Sequence, residues 1–253
     1  MKVLVLAGGS DQIDLINEIK SRGHQVVLVD YYPNPPAKRY ADKHIQESTL
    51  DVEKVKEIAI SEKVDMVCTA CTDQALLTVA KVSEDLSLPT YISYKTALNV
   101  TNKSYMKKVM MENGIPTARY TIVDKVDLDA AKDFQYPLVV KPVDCNSSKG
   151  VKKITETDNF AEALAEAIEC SRTKTAVIEE FKSGEEVSAD FYVQGDEVKF
   201  LCATQSKKIK NTNSFTITQS YNPVLDGNQD KKHTEIEAKN AKAINLKHTQ
   251  HLV

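Results

Sequence analysis

Apolar positions follow two regimes along this chain. Up to about residue 98, short apolar runs alternate with stretches of helical spacing. Lys2, Val3, Leu4, Val5 and Leu6 read as a first strand, followed by the turn Ala7-Gly8-Gly9-Ser10 and an amphipathic helix over 11–21 with Ile13, Ile16 and Ile19 inward. Arg22-Gly23-His24 supplies a glycine stop. Strands are predicted at 25–29, ending in Asp30, at 44–46 and at 64–68. Helices are predicted at 52–61, capped by Asp51, and at 74–85, capped by Asp73. Strands alternating with helices predict an α/β fold with an N-terminal parallel doubly wound sheet. Residues 94–98 predict one helical turn within a connector.

Beyond the connector the pattern changes. Asn102-Lys103-Ser104 opens a helix that runs to Asn113-Gly114, and Pro116 prevents its continuation. A short helix is predicted over 126–134 and a longer one over 158–170. Between them lies Tyr136-Pro137-Leu138-Val139-Val140-Lys141-Pro142, then a loop of small polar residues to Gly150, then Val151 to Ile154. This reads as strand, loop, strand. Ala176-Val177-Ile178-Glu179-Glu180-Phe181 is a further strand ending in two acids and an aromatic. Residues 186–194 and 197–206 form a hairpin across Gly195-Asp196, and 228–247 has helical spacing. The second part is therefore expected to be α+β.

Composition narrows the class. The chain has 253 residues, 42% of them hydrophobic and 27% charged, with a net charge of −3. That balance suits an ordinary soluble globular protein and gives no sign of a general nucleic-acid binder. No apolar run approaches the roughly 20 residues of a membrane helix, and a cytoplasmic protein is expected. The five cysteines are odd in number and scattered, which fits reduced thiols. Cys68 and Cys71 form a C-x-x-C, but Cys68 ends an apolar run, so it reads as a core residue of a strand end.

The loop after Lys141 carries the candidate chemistry. Ser147, Ser148, Lys149 and Gly150 offer two hydroxyls, an ammonium and free backbone N–H groups, a combination that can cradle polyphosphate. It lacks the G-x-x-x-x-G-K-[ST] pattern of a P-loop. A plain surface hairpin with solvated lysines is the competing reading. The ordered set of Lys141, the small-residue loop, the Ile178-Glu179-Glu180-Phe181 segment and Glu186 resembles the ATP-grasp superfamily. The likeness is to its carbamoyl-phosphate-synthase-like and biotin-carboxylase-like members, and it extends over essentially the whole chain.

The resemblance implies three parts: a pre-ATP-grasp Rossmann-like domain at 1–98, a small ATP-grasp subdomain at 99–179, and the start of a large subdomain at 180–253. It implies ATP as ligand. Lys103 and Lys141 would meet the α/β side of the phosphates, and Ser147 to Gly150 would close over the β/γ side as a mobile lid. Ile178, Glu179, Glu180 and Phe181 would receive the purine through exposed backbone groups, and Glu186 the ribose. Gly8, Gly9, Ser10 and Asp73 would face a small carboxylate substrate. The implied reaction transfers the γ-phosphoryl to the carboxylate, and an amine or thiol then attacks the acylphosphate. Mg²⁺ is implied as well, held by late acids expected past the end of this chain. Glu235 and Glu237 lie in the helical pattern and are not assigned to the metal. This predicts nucleotide binding with little turnover, and self-association through the apolar Ile236 and Ile244.

Two alternatives stay open: a non-catalytic ATP/ADP-binding module, and an NAD-dependent oxidoreductase using the N-terminal sheet. For the latter, Asp30 stands where a ribose-binding acid would, but Gly8-Gly9-Ser10-Asp11-Gln12-Ile13 breaks the G-x-G-x-x-G fingerprint.

Overall fold

The computed structural model describes residues 1–145, 148–184, 186–194, 197–208 and 217–221, together with Glu235 and Lys239, both helical. The chain divides into two compact units, Met1–Thr101 and Asn102–Val253.

The first unit contains β1 (Lys2–Leu6), α1 (Asp11–Ser21), β2 (Gln25–Asp30), a 3-10 turn (Pro36–Tyr40), β3 (Lys43–Gln46), α2 (Val52–Glu62), β4 (Met66–Cys68), α3 (Asp73–Asp85) and α4 (Tyr94–Thr101). The four strands form one sheet in the order β3-β2-β1-β4, with every pairing parallel. Strand alternation decides which side each residue faces. Leu4, Leu6, Val27 and Val29 pack on Val55 and Ala59 of α2 and on Val79 of α3. Val3, Val5, Val26 and Leu28 pack on Ile16 of α1 and on Ala37. The sheet is thus covered on both faces, which is why its inner strands β1 and β2 are almost continuously apolar, while the edge strand β3 is polar. Asp51 caps α2 by accepting the Lys54 N–H at 3.0 Å. Gly23, at φ +78°, closes α1 with its N–H on Lys20 and that of His24 on Ile19.

Asp73 is not a cap. Helix α3 begins at Asp73 itself, after Thr72. Its charge falls in the first turn, where the helix dipole favours an anion.

The second unit contains α5 (Lys103–Glu112), β5 (Tyr120–Val123), β6 (Leu138–Pro142), β7 (Lys152–Ile154), α6 (Phe160–Cys170), β8 (Ala176–Glu180), β9 (Val187–Gln194), β10 (Glu197–Lys208) and β11 (Ile217–Tyr221). One antiparallel sheet has the order β5-β8-β6-β7 and another β11-β10-β9. Asn102 caps α5 through Ser104 N–H at 2.9 Å, and Asn159 caps α6 through Glu162 N–H at 3.2 Å. Helix α6 covers one face of the first sheet. Leu138, Val140, Ile154, Ala176 and Ile178 meet Ala163, Leu164 and Ala167 there. In the β9–β10 hairpin Phe191 stands opposite Phe200, with ring centroids 5.5 Å apart.

The helix expected over 126–134 is instead a chain of turns. Its bonds run from Ala130 N–H to Asp127 O, Lys132 to Asp129 and Phe134 to Ala131. The Asp127 carboxylate takes the Asp129 N–H at 3.0 Å, a local bond that competes with helical pairing. Strands β5 and β11 had no counterpart in the pattern. Most of the helix expected over 228–247, with Glu237, Ile236 and Ile244, lies outside the described residues. Among the described residues no helix is long and apolar enough to cross a membrane.

Candidate functional site

In the β5-β8-β6-β7 sheet, the face that does not meet α6 carries the charge. Register places Val139 beside both Glu179 and Lys153, and Tyr120 beside Glu179. Lys141 is two residues beyond Val139, so it shares that face. Ion pairs connect three side chains. Lys141 Nζ pairs with Glu179 Oε1, and Lys107 Nζ lies 2.6 Å from Glu179 Oε2. Lys107 reaches the sheet from α5. It also donates to Thr117 Oγ1 at 2.7 Å and stands 5.4 Å from the Tyr120 ring centroid.

The cluster is buried at one end and more open at the other. The side chains of Lys107 and Glu179 are 8% and 10% exposed, and that of Lys141 is 20%. Burial pushes the Glu179 carboxyl up, but the ammoniums of Lys141 and Lys107 outweigh it and hold the group below its ordinary range. Burial holds the Lys107 ammonium below its ordinary value, against the pull of Glu179. Glu179 Oε2 is held by the charge of Lys107 without an aligned hydrogen bond.

Lys103 sits one turn before Lys107 on α5. Its Nζ donates to Cys145 O at 2.7 Å, and its backbone N–H to Val143 O at 2.7 Å. The start of α5 is thereby tied to the root of the small-residue loop. The ends of that loop are held by neighbouring segments. Asp144 is 4% exposed and accepts the N–H groups of Arg172 at 3.2 Å and Thr173 at 3.1 Å. Gly150, at φ +71°, lies so close to Pro142 that an added Cβ would come within 2.8 Å of its Cγ. Ser148 and Lys149 are exposed; Asn146 and Ser147 lie outside the described residues.

The segment after β8 differs from expectation. The backbone N–H groups of Glu180 and Phe181 are not open: they donate to Arg119 O at 3.0 Å and Pro137 O at 2.9 Å, because sheet pairing continues to the strand's end. The Glu180 side chain takes the Gln135 N–H at 3.2 Å and pairs with Lys182 at 3.0 Å. The Phe181 ring lies 3.9 Å below the Lys153 ammonium. Glu186 is exposed just before β9. Neither Lys107 nor Lys153 was singled out from the sequence. Their signals were the four-residue spacing from Lys103 and the strand parity with Val151.

In the first unit, Gly8 is buried, and Gly9, Ser10 and Asp73 are exposed. The Gly8 N–H donates to Asp30 Oδ2 at 2.6 Å, and Asp30 Oδ1 takes the Tyr32 N–H at 2.7 Å. Both oxygens of a 9% exposed carboxylate are thus engaged by backbone. Asp30 acts here as a staple for the turn, which weighs against its use on a dinucleotide ribose. Buried Gln12 joins α1 to the loop after β4, bonding the carbonyl and, at 3.0 Å, the N–H of Ala70.

A parallel doubly wound sheet followed by an antiparallel sheet with a buried lysine–glutamate–lysine cluster defines the class. The family model described as "Phosphoribosylglycinamide synthetase, ATP-grasp (A) domain" matches residues 101–232. The chain belongs to that ATP-grasp family. It is 31% identical over 174 residues to the formate-dependent phosphoribosylglycinamide formyltransferase of Hydrogenovibrio crunogenus, a match covering 68% of this chain and 44% of that protein. It is 27% identical to the protein of that name from Erythrobacter litoralis, covering 71% and 47%. The chain thus spans less than half the length of these curated relatives. Among solved structures, the ADP complex of an N5-carboxyaminoimidazole ribonucleotide synthetase matches with a TM-score of 0.79 at 18% identity, covering 97% of this chain and 63% of the other. An L-amino acid ligase from Bacillus licheniformis matches at 0.76 and 19%, covering 98% and 61%. These two likenesses bear on the fold.

Lys103 holds the root of the loop at Cys145, Lys141 precedes it at the end of β6, and Ser148 and Lys149 of the loop are exposed. Among the described residues no group of three or more acids, histidines or cysteines is placed to hold a metal ion.

Proposed function

We propose that this chain is the nucleotide-binding portion of an ATP-dependent ligase that activates a small carboxylate as an acylphosphate for attack by an amine or thiol. The observation that carries the reading is the Lys141–Glu179–Lys107 cluster, with Lys103 on the adjoining loop root, in a chain of the ATP-grasp family. Lys141 and Lys103 bind the α/β side of the phosphates. Ser147, Ser148, Lys149 and Gly150 close over the β/γ side. The purine lies by the Glu180–Phe181 segment, and Glu186 takes the ribose. Of the residues of the first unit, the exposed Gly9, Ser10 and Asp73 are assigned to the carboxylate substrate, while Gly8 holds the turn. The curated relatives are named as formate-dependent, which supports a small carboxylate. The five cysteines form no disulfide, which suits a cytoplasmic enzyme.

Catalysis of this kind rests on positioning and on neutralising charge at the transferred phosphoryl group. Mg²⁺, when bound, supplies part of that neutralisation; the lysines here supply the protein's share. Calorimetry with ADP tests the site. ADP binds the 253-residue chain, and Lys141→Ala weakens binding by about 1.5–3 kcal/mol, the range for a hydrogen bond to a charged group. An unchanged affinity removes Lys141 from the site. Magnesium-dependent phosphate release from ATP, run over carboxylic acids from formate to amino acids, tests the reaction. Release that no acid stimulates points to a binding module without catalysis.

A further inference from the structure

The cluster around Glu179 holds two ammonium groups and one carboxylate. A single lysine would neutralise Glu179, so the second needs a reason. Lys107 is 6% exposed, and burying a lysine is unfavourable unless it is paired. It lies at the closed end of the cluster, fixed by Thr117 and Glu179, while Lys141 lies at the open end. An anion reaching the open end meets Lys141 and competes with Glu179 for it. Without another partner, Glu179 would then be left as a buried, unpaired carboxylate, which is strongly disfavoured.

We propose that Lys107 is a positioning residue, the standing counter-ion of Glu179, which releases Lys141 from that carboxylate to meet a phosphate of the bound nucleotide. The inference rests on the nucleotide reading above and adds a residue and a division of labour to it. Lys107 and Lys141 carry the same charge, but only Lys141 touches the ligand. With Lys107 in place the cluster keeps one positive charge in excess and presents it at its open end. Without Lys107 the remaining pair is neutral, and Lys141 is held by Glu179 alone.

The test is ADP affinity by calorimetry on the full chain, with thermal unfolding measured alongside. Lys107→Met should weaken ADP about tenfold or more, the scale of one charged contact. Adding Glu179→Gln to Lys107→Met removes the competing carboxylate and should return affinity to within about threefold of the parent, whatever the change in unfolding temperature. Lys107→Arg keeps the charge and should retain binding. A purely structural lysine predicts the reverse for the double variant, whose affinity would stay as low as that of Lys107→Met.

If Lys107→Met does not fold, Lys107→Gln, which keeps a donor for Thr117 Oγ1 without the charge, takes its place with the same expected loss and the same rescue, and unchanged ADP affinity in Lys107→Gln overturns the inference. Lys141→Ala separates the two levels. If it weakens ADP while Lys107→Met does not, the positioning role fails and the site stands. If it has no effect, the placement of the nucleotide fails and takes the inference with it.

Discussion

The backbone N–H of Gly8 lies 2.6 Å from Asp30 Oδ2, across the ends of two neighbouring parallel strands. Gly8 O in turn accepts the Ala37 N–H at 2.9 Å. The first turn of the fold is therefore locked from both sides, and there is no space at Gly8 for a side chain.

Gly8→Ala should destabilise the first unit. A Cβ there would lie 2.7 and 2.8 Å from the Pro35 Cβ and Cγ. Relieving such overlap costs about 1–3 kcal/mol. Gly9→Ala meets nothing within 4 Å and serves as the control. Urea unfolding should show a lower midpoint for the first variant and an unchanged one for the second.

Asp144→Ala should loosen the root of the loop. The carboxylate accepts two backbone N–H groups from Arg172 and Thr173 while almost fully buried. Arg172 and Thr173 are themselves exposed, so their freed N–H groups regain water and each lost bond costs about 0.5–1.5 kcal/mol. Hydrogen exchange should show the Arg172 and Thr173 amides exchanging faster in the variant. Equal rates in both proteins would mean that the bond does not hold the segment.

Acid should weaken the second unit through Glu179. Its carboxyl faces Lys107 from α5, Lys141 from β6 and Tyr120 from β5, and it sits below the ordinary value of 4.5. A carboxyl with a lowered folded-state value stabilises the fold fully above its unfolded value. That contribution is lost as pH falls through the folded value. The stability difference between the parent and Glu179→Gln should thus be largest near neutral pH and shrink below about pH 4.5. Urea midpoints between about pH 7 and about pH 3 measure it. A difference that grows with acid would contradict the sign.

Cys68 and Cys71 should behave differently toward thiol reagents. Cys68 ends β4 inside the core, and burial pushes its thiol up to about 12. Cys71 is exposed. A thiol-reactive dye should label Cys71 in the folded protein and Cys68 only after unfolding. Rapid labelling of both would revive the redox reading of the C-x-x-C.

Period and punctuation alone determined much of this fold. The parallel sheet and its helices were legible because the inner strands are buried on both faces and read as nearly unbroken apolar runs. The caps at Asp51, the opening at Asn102 and the stop at Gly23 are local chemistry and needed no tertiary partner. The strand–loop–strand around Lys141 and the Glu179 strand were legible for the same reason. The turns over 126–134 were not, since the Asp127 side chain captured a backbone N–H at the start of the segment. Nor was β5, whose residues are only partly buried and whose order depends on pairing with β8. What the sequence could not supply was the pairing of charges. It presented Glu179 as one of two acids at a strand end and Lys107 as one of many lysines on a polar helix. Sheet parity turns Glu179 to the face of Lys141 and sends Glu180 to the other. The seating of α5 then brings Lys107 within 2.6 Å of the same carboxylate. Residues 107, 141 and 179 are far apart in the chain, and only long-range packing selects which charges meet.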